Sequence, residues 1–291
     1  MNVLFVVTRN EAELLRLNLA HHLAWGFDHA AIADNDSTDA TRDVLHSFGD
    51  AVTAETIADP NDRFAALRRL LRRIEARHGQ AQWVAVSDTD EFWWLPGVDL
   101  RELVSQVPAE APGLNSDQKL FLPTALDPRD GPVFVRRTWR TTGSSSPLHT
   151  SYRKGKSIYR ASRVREHEIT SPHWCFAVAG AAWRPTRALV HHYMIDDEES
   201  FVRKVVALAR WSPQVRGAAP DAAGETGGTN PQVRFRDFKT AWWRIYESGG
   251  ERALRDYFRT SYLISATALP GHVERRELVQ DTAFADWMRT S

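Results

Sequence analysis

Apolar and polar positions follow a repeating order over the first hundred residues. Val3-Leu4-Phe5-Val6-Val7 is a continuous apolar run of strand length, and it stops at Thr8-Arg9-Asn10-Glu11. Leu15, Leu19 and Leu23 then recur at helical spacing until Gly26. A short strand is predicted over residues 30–33. It leads to Asp34-Asn35-Asp36-Ser37-Thr38-Asp39, a cluster rich in helix-capping side chains, and to a helix carrying Val44, Leu45 and Phe48 before Gly49. Residues 51–55 read as a third strand. Past Asp59-Pro60-Asn61, a helix sets Phe64, Leu67, Leu71 and Ile74 on one side. Its arginines (68, 69, 72, 73 and 77) lie mainly on the other, as a solvated face does. A fourth strand, residues 83–87, ends abruptly at Asp88-Thr89-Asp90-Glu91.

This β-α-β-α-β-α-β order predicts a doubly wound, mainly parallel α/β sheet flanked by helices and joined by right-handed crossovers. Ligands of such sheets bind beyond the C-terminal strand ends. The three polar clusters, 8–11, 34–39 and 88–91, all fall there, and that convergence is the main argument for a site. From about 115 to 195 the alternation lapses into shorter strand-like runs at 134–137, 155–159 and 188–193. Helical periodicity returns over 197–211. Residues 212–232 are rich in Gly, Ala and Pro, as a linker or mobile loop is, and an aromatic-rich helical segment follows at 235–265. The expected division is therefore a domain over 1–205, with a nucleotide-binding half (1–100) and an acceptor and metal half (115–205). A flexible stretch over 206–234 and a helical C-terminal extension over 235–291 complete it.

Composition narrows the function classes. Over 291 residues, 37 basic and 37 acidic side chains balance, which argues against broad attraction to nucleic acid or an anionic membrane. A single cysteine, Cys175, excludes an internal disulfide and a Cys-based zinc site, and cytoplasmic residence fits. The 3–7 run lacks the flanks of a signal peptide, and the longest apolar stretch, 175–183, is about half a membrane span, so any membrane contact is expected to be peripheral. No GxxxxGK[ST] loop or GxGxxG fingerprint follows the first strand, and Ser144-Ser145-Ser146 lacks nucleophile-elbow glycines. Eleven tryptophans suit a core, and some could floor a sugar site.

Three carboxylates at the tip of an apolar strand are costly to keep ionised unless a cation neutralises them. Alternation along an extended segment puts Asp88 and Asp90 on one side, where they could share Mg2+ or Mn2+ with phosphate oxygens; an acidic turn is the plainer alternative. Two carboxylates leave coordination positions open, and His192, which with His191 closes an apolar run, is a candidate third ligand or a satisfied core histidine. His21, His22 and His29 read as structural or surface residues. The basic segment Arg153, Lys154, Lys156, Arg160 and Arg163 is either a solvated strand edge or a diphosphate contact, with Lys156 the best single candidate.

In combination, Thr8-Arg9-Asn10-Glu11, Asp34 to Asp39 and Asp88-Thr89-Asp90-Glu91-Phe92 resemble the family 2-like glycosyltransferases of GT-A fold. Within that group the branch called "glycosyl transferase family 2, type 4" or family 92-like is the nearest in pattern. Lys156-Ser157-Ile158, His192-Tyr193 and Glu199-Ser200-Phe201 with Lys204 extend the likeness over about 1–205. The resemblance implies transfer of a sugar from a nucleotide-diphosphate donor, a UDP-sugar being favoured, to an acceptor hydroxyl with inversion. It implies that Thr8, Asn10, Glu11, Asp34 and Asp36 line the nucleoside pocket and that Asp88 touches ribose or metal. Asp90 and His192 would ligate Mn2+ or Mg2+. Lys156 would neutralise the leaving diphosphate, and a carboxylate would act as base; Glu91, Glu166, Glu168, Asp196 and Asp197 are eligible, with Glu168 favoured. Trp93-Trp94 depart from the branch's pattern and could wall a sugar site. A polysaccharide-forming enzyme is one expectation. A metal-dependent phosphoesterase or nucleotidyltransferase, or an inactive sugar-nucleotide binder, are the competing readings.

Overall fold

A computed structural model describes residues 1–59, 62–142, 155–166, 184–211 and 231–290. The chain forms two compact units, Met1–Gln118 with Lys154–His192, and Lys119–Arg153 with Tyr193–Ser291.

The first unit is built on β1 (Asn2–Thr8), β2 (His29–Asp34), β3 (Val52–Thr56), β4 (Trp83–Asp88), β5 (Glu91–Trp94), β6 (Gly113–Leu120), β8 (Gly155–Arg160) and β9 (Arg184–His192). They form one sheet in the order β3-β2-β1-β4-β8-β6-β9-β5. The pairs β3–β2, β2–β1 and β1–β4 are parallel, whereas β4–β8, β8–β6 and β9–β5 are antiparallel. The expected α/β class, with helices flanking the sheet and a helical C-terminal extension, stands, and the sheet is mixed beyond β4. Its crossovers are α1 (Ala12–Trp25), α2 (Thr41–Ser47) and α3 (Arg63–His78), while α4 (Leu100–Ser105) precedes β6 and α6 (Ala161–Glu166) follows β8. α3 buries Ala66, Leu67, Leu70, Leu71 and Ile74 against Val3, Phe5, Ala31, Val84 and Val86, so this amphipathic helix, with Ala161 and Val164 of α6, covers one face of the parallel strands.

The second unit contains α5 (Val133–Arg136), β7 (Trp139–Thr141), α7 (Glu198–Trp211), α8 (Pro231–Tyr257), α9 (Leu269–Glu274), β10 (Leu278–Gln280) and α10 (Ala283–Thr290). α8 breaks at Gly249-Gly250, whose backbone leaves the helical region. The aromatic-rich segment buries itself within its own unit: Trp242, Leu254, Phe258 and Tyr262 pack with Phe201, Val202 and Val205. Residues 134–137, expected as a strand, instead lie largely in the helical turn α5. The amides of Val135 and Arg136 both donate to the Pro132 carbonyl, and an apolar run of this length does not by itself separate strand from helix. The expected loop lies almost wholly in 212–230, outside the described residues.

Candidate functional site

Strand register assembles the polar clusters. Thr8 lies beside Asp34 across β1–β2, and Val7 beside Asp88 across β1–β4, so the first, second and fourth strand ends share one edge of the sheet. The loops there are cross-tied. Ser37 Oγ accepts from the Asn10 amide at 3.0 Å, Asn10 Oδ1 accepts from the Thr38 amide at 2.7 Å, and Arg9 donates to the Asn35 carbonyl at 3.0 Å. Asn10 and Asp36 sit at φ of 52° and 53°, the left-handed region that asparagine and aspartate tolerate better than most residues. Asp39 accepts from the amides of Ala12 and Thr41 and so ties the starts of α1 and α2 together. Burial pushes its carboxyl up, but these bonds and that of the Thr41 hydroxyl outweigh it and hold it below the usual range. Asp34 is buried, and its Oδ1 accepts from the Ser37 amide. Asp34 Oδ2, Thr8 Oγ1 and Asn35 Oδ1 are buried with no hydrogen-bond partner among the described residues, although Arg42 Nε stands 3.8 Å from Asp34 Oδ2. Buried acceptors and hydroxyls in that state suit a ligand that brings donors. Glu11 immediately precedes α1, and Asp36 is largely exposed.

The Asp88–Glu91 turn gathers side chains from distant strands. Across β5–β9, Glu91 faces His192, which brings His192 Nε2 to 3.4 Å from Asp90 Oδ1. The antiparallel β4–β8 register runs Lys156 toward the same turn, and its ammonium lies 3.1 Å from Asp88 Oδ2 and 2.7 Å from Glu91 Oε2. Glu91 Oε2 also accepts from the Asp88 amide at 2.8 Å, and Glu91 Oε1 from Gln118 Nε2 at 2.5 Å. Glu91 and Lys156 are fully buried, whereas the Asp88 side chain is 48% exposed. Burial alone would lower the Lys156 pKa, yet Asp88 and Glu91 outweigh it and keep the ammonium above its ordinary value. Burial pushes the Glu91 carboxyl up, with Lys156 opposing. An acceptor hydroxyl could reach Glu91 only by displacing one of these donors. Of the other carboxylates considered as base, Asp196 is paired with Arg136 and Arg137, and Asp197 Oδ1 caps α7 by accepting from the Ser200 amide. Glu168 and the Glu166 side chain lie outside the described residues.

Behind the turn stands a buried polar layer that the sequence reading took for ordinary structural residues or did not name. Asn18, His21 and His22 share one face of α1 at i, i+3, i+4 spacing. Asn18 Nδ2 donates to the carbonyls of Thr89 (2.9 Å) and Glu91 (2.8 Å), His21 Nε2 to that of Trp93 (2.7 Å), and His22 Nε2 accepts from the Trp93 amide (3.1 Å). The reason lies in the topology. Among the described residues β5 is the last strand of the sheet, so one of its edges has no strand neighbour there, and α1 supplies hydrogen-bond partners. Trp93 and Trp94 are buried in β5, in the core and not on a sugar-binding wall. No local motif signals Asn18 or Gln118. The available hint was that Asn18 stands between Leu15 and Leu19 and their helical neighbours His21 and His22 in α1.

Because the Trp93 amide can only donate, His22 Nε2 must be unprotonated in the folded state, and its Nδ1 donates to the Asn18 carbonyl at 2.9 Å. Burial lowers His22 well below 6.5, and lowers His21 and His29 to about 4. A folded-state pKa below the unfolded one means that the unfolded chain binds more protons between the two values, so stability falls as pH drops through that window. For His21 the full contribution is on the order of 3 kcal/mol. The urea midpoint is therefore expected to decline steadily from pH 6.5 to 4.5, with a shallower decline in His21→Gln. Equal slopes in the two proteins would contradict the assignment.

No group of three His, Cys, Asp or Glu side chains placed to hold a metal is present among the described residues. Asp90 and His192 do adjoin, and a carboxylate and an imidazole are a partial ligand set of the kind that substrate phosphates complete for Mn2+ or Mg2+. Asp88, the third nominated ligand, turns one oxygen to Lys156. No helix among the described residues is long and apolar enough to cross a membrane.

No protein-family model matches the chain, and no curated protein matches it. Solved structures similar to it include the mannosyltransferase PcManGT from Pyrobaculum calidifontis in complex with GDP-Man and Mn2+, at 16% identity over 94% of this chain and 74% of that one, TM-score 0.41. TarS 1-349 from S. aureus in complex with UDP-GlcNAc is 13% identical over 89% and 75%, TM-score 0.37. A nucleotidyl transferase from Methanothermobacter thermautotroptrophicus is 11% identical over 72% and 99%, TM-score 0.33. Similarity this distant carries no assignment of activity, which has to come from the side chains.

Proposed function

We propose that this chain is a glycosyltransferase that moves a sugar from a nucleoside-diphosphate donor, a UDP-sugar in the first instance, to an acceptor hydroxyl. The observation that carries the reading is the meeting of two unlike clusters on one sheet edge. One is a set of buried acceptors and hydroxyls at Thr8, Asp34 and Asn35. The other is a carboxylate turn with His192 beside Asp90. The first suits the hydroxyl and N–H donors of a nucleoside, and the second suits the cation that accompanies a diphosphate. A simple phosphoesterase has use for the second only.

In this reading Asp34, with Thr8, Asn10, Glu11 and Asp36 around it, receives the nucleoside, and Asp90 and His192 are the residues that would hold Mn2+ or Mg2+ beside the diphosphate. When bound, the ion offsets the charge of the departing diphosphate. The bond from the anomeric carbon to the phosphate oxygen breaks, and the bond to the acceptor oxygen forms on the opposite face, inverting the centre. The acceptor proton passes to a carboxylate, for which Glu168 remains the candidate because Glu91 already has both oxygens engaged.

A thermal-shift screen of UDP, GDP, dTDP and CDP, each with Mn2+, Mg2+ or EDTA, tests this. One nucleotide is expected to raise Tm only when metal is present. At a ligand concentration of about 100 times Kd the gain is ~2.7 kcal/mol, or about 5–10 °C for units of this size. Asp34→Ala should remove the gain while leaving the ligand-free Tm within a few degrees. If no nucleotide stabilises the wild type under any metal condition, the transferase reading fails.

A further inference from the structure

Glu91, Lys156 and Asp88 form a series from the interior to the surface: a carboxylate with no exposure, an ammonium with no exposure, and a carboxylate that is half exposed. The inner carboxylate is saturated. Its oxygens accept from Lys156, the Asp88 amide, Gln118 and, at 3.3 Å, the Ser87 hydroxyl. Lys156 spends donors on Glu91 and on Asp88, and its burial leaves no face for a phosphate. An ammonium held between two carboxylates fixes the outer one in a single orientation, whereas a half-exposed aspartate at a strand end otherwise samples several rotamers. Three carboxylates against one ammonium also leave two negative charges on the turn, the number that one divalent cation offsets.

We propose that Glu91 and Lys156 are a positioning pair that sets the carboxylate of Asp88 for the donor, and that neither of them touches the diphosphate. The proposal rests on the transferase reading and refines its site. Lys156 occupies the place between Asp88 and Glu91 that a metal would otherwise take, so the cation's protein ligands are Asp90 and His192, and Asp88 is an oriented hydrogen-bond acceptor for the donor.

Removing one charge of the pair strands the other in the core, so the informative variant is the neutral double substitution Lys156→Met with Glu91→Gln. Calorimetric titration in Mn2+ compares the wild type, this variant, Asp88→Asn and the triple variant. The probes are the nucleoside diphosphate and monophosphate of whichever base the wild type binds. The double variant is expected to fold and to lose affinity for both nucleotides by the same factor, about tenfold or more, with Asp88→Asn adding nothing further once the pair is gone. A loss confined to the diphosphate would place Lys156 on the phosphates and overturn the proposal. Additive losses would show that the pair does not act through Asp88, and unchanged affinity would reduce it to a purely structural contact. If the wild type binds no nucleotide, the transferase reading falls and this proposal with it. Any of the other three adverse results, with a nucleotide-binding wild type, removes this proposal alone.

Discussion

Asp90→Ala is expected to reduce sugar transfer by about a thousandfold while leaving the protein folded, since a metal ion's stabilisation of a departing charge amounts to several kcal/mol and each ~1.4 kcal/mol is a factor of ten. Asp90 is buried at the turn between β4 and β5, and its carboxylate stands beside His192. If Asp90 and His192 hold the cation as proposed, truncation removes one of its two protein ligands, and the phosphate oxygens cannot replace it. His192→Ala is expected to have a smaller effect in the same direction, because a neutral ligand contributes less to a hard cation than a carboxylate. The measurement is kcat at saturating donor across a Mn2+ titration. A ligand role requires that Asp90→Ala be partly rescued by high Mn2+ and that its metal-dependent nucleotide stabilisation disappear. Wild-type turnover in Asp90→Ala, or unaltered metal dependence, would leave the turn as an acidic loop and no more.

The second large effect is expected at a residue that touches no substrate. Asn18→Leu keeps the forked shape of the side chain, though not its volume, and removes the amide that donates to the Thr89 and Glu91 carbonyls and the oxygen beside His22 Nδ1. A buried polar group left without its partner costs ~1–3 kcal/mol, so losing these bonds together should destabilise the protein by about 2–5 kcal/mol. Tm should drop by roughly 5–15 °C. Nucleotide binding measured well below that Tm should weaken as well, because the same bonds hold the turn that carries Asp88 and Asp90. A drop in Tm with intact nucleotide affinity would mean that α1 supports the fold but not the site. No drop in either would mean that the β5 edge finds other partners.

The two predictions draw on different kinds of information. Asp90 announces itself in the sequence, because an apolar run that ends in three carboxylates is conspicuous. Asn18 does not, since a buried asparagine between leucines of a helix becomes meaningful only when the strand it caps is known. His21 and His22 were legible as structural residues, but their partners were not. Those partners lie about seventy residues away, on a strand whose position at the sheet edge no local pattern encodes. The same holds for Gln118 against Glu91, and for Lys156, whose basic character suggested a solvated edge or a phosphate contact before burial placed it between two carboxylates. Trp93 and Trp94 were read as a departure worth a functional role, and the sheet buries them.

By itself the sequence determined the order β-α-β-α-β-α-β, and with it the gathering of residues 8–11, 34–39 and 88–91 at one edge. Hydrophobic periodicity marks each element, and parallel strands joined by helices must end on the same side. It also placed Asp88 and Asp90 on that edge. Tertiary structure alone decided what lies behind them. The antiparallel pairings of β8 with β4 and of β9 with β5 bring Lys156 and His192 to the Asp88–Glu91 turn, and α1 completes the hydrogen bonds of an edge strand. Those contacts join residues distant along the chain, and their registers are fixed by packing and by the need to satisfy buried polar groups, neither of which leaves a local imprint on the sequence.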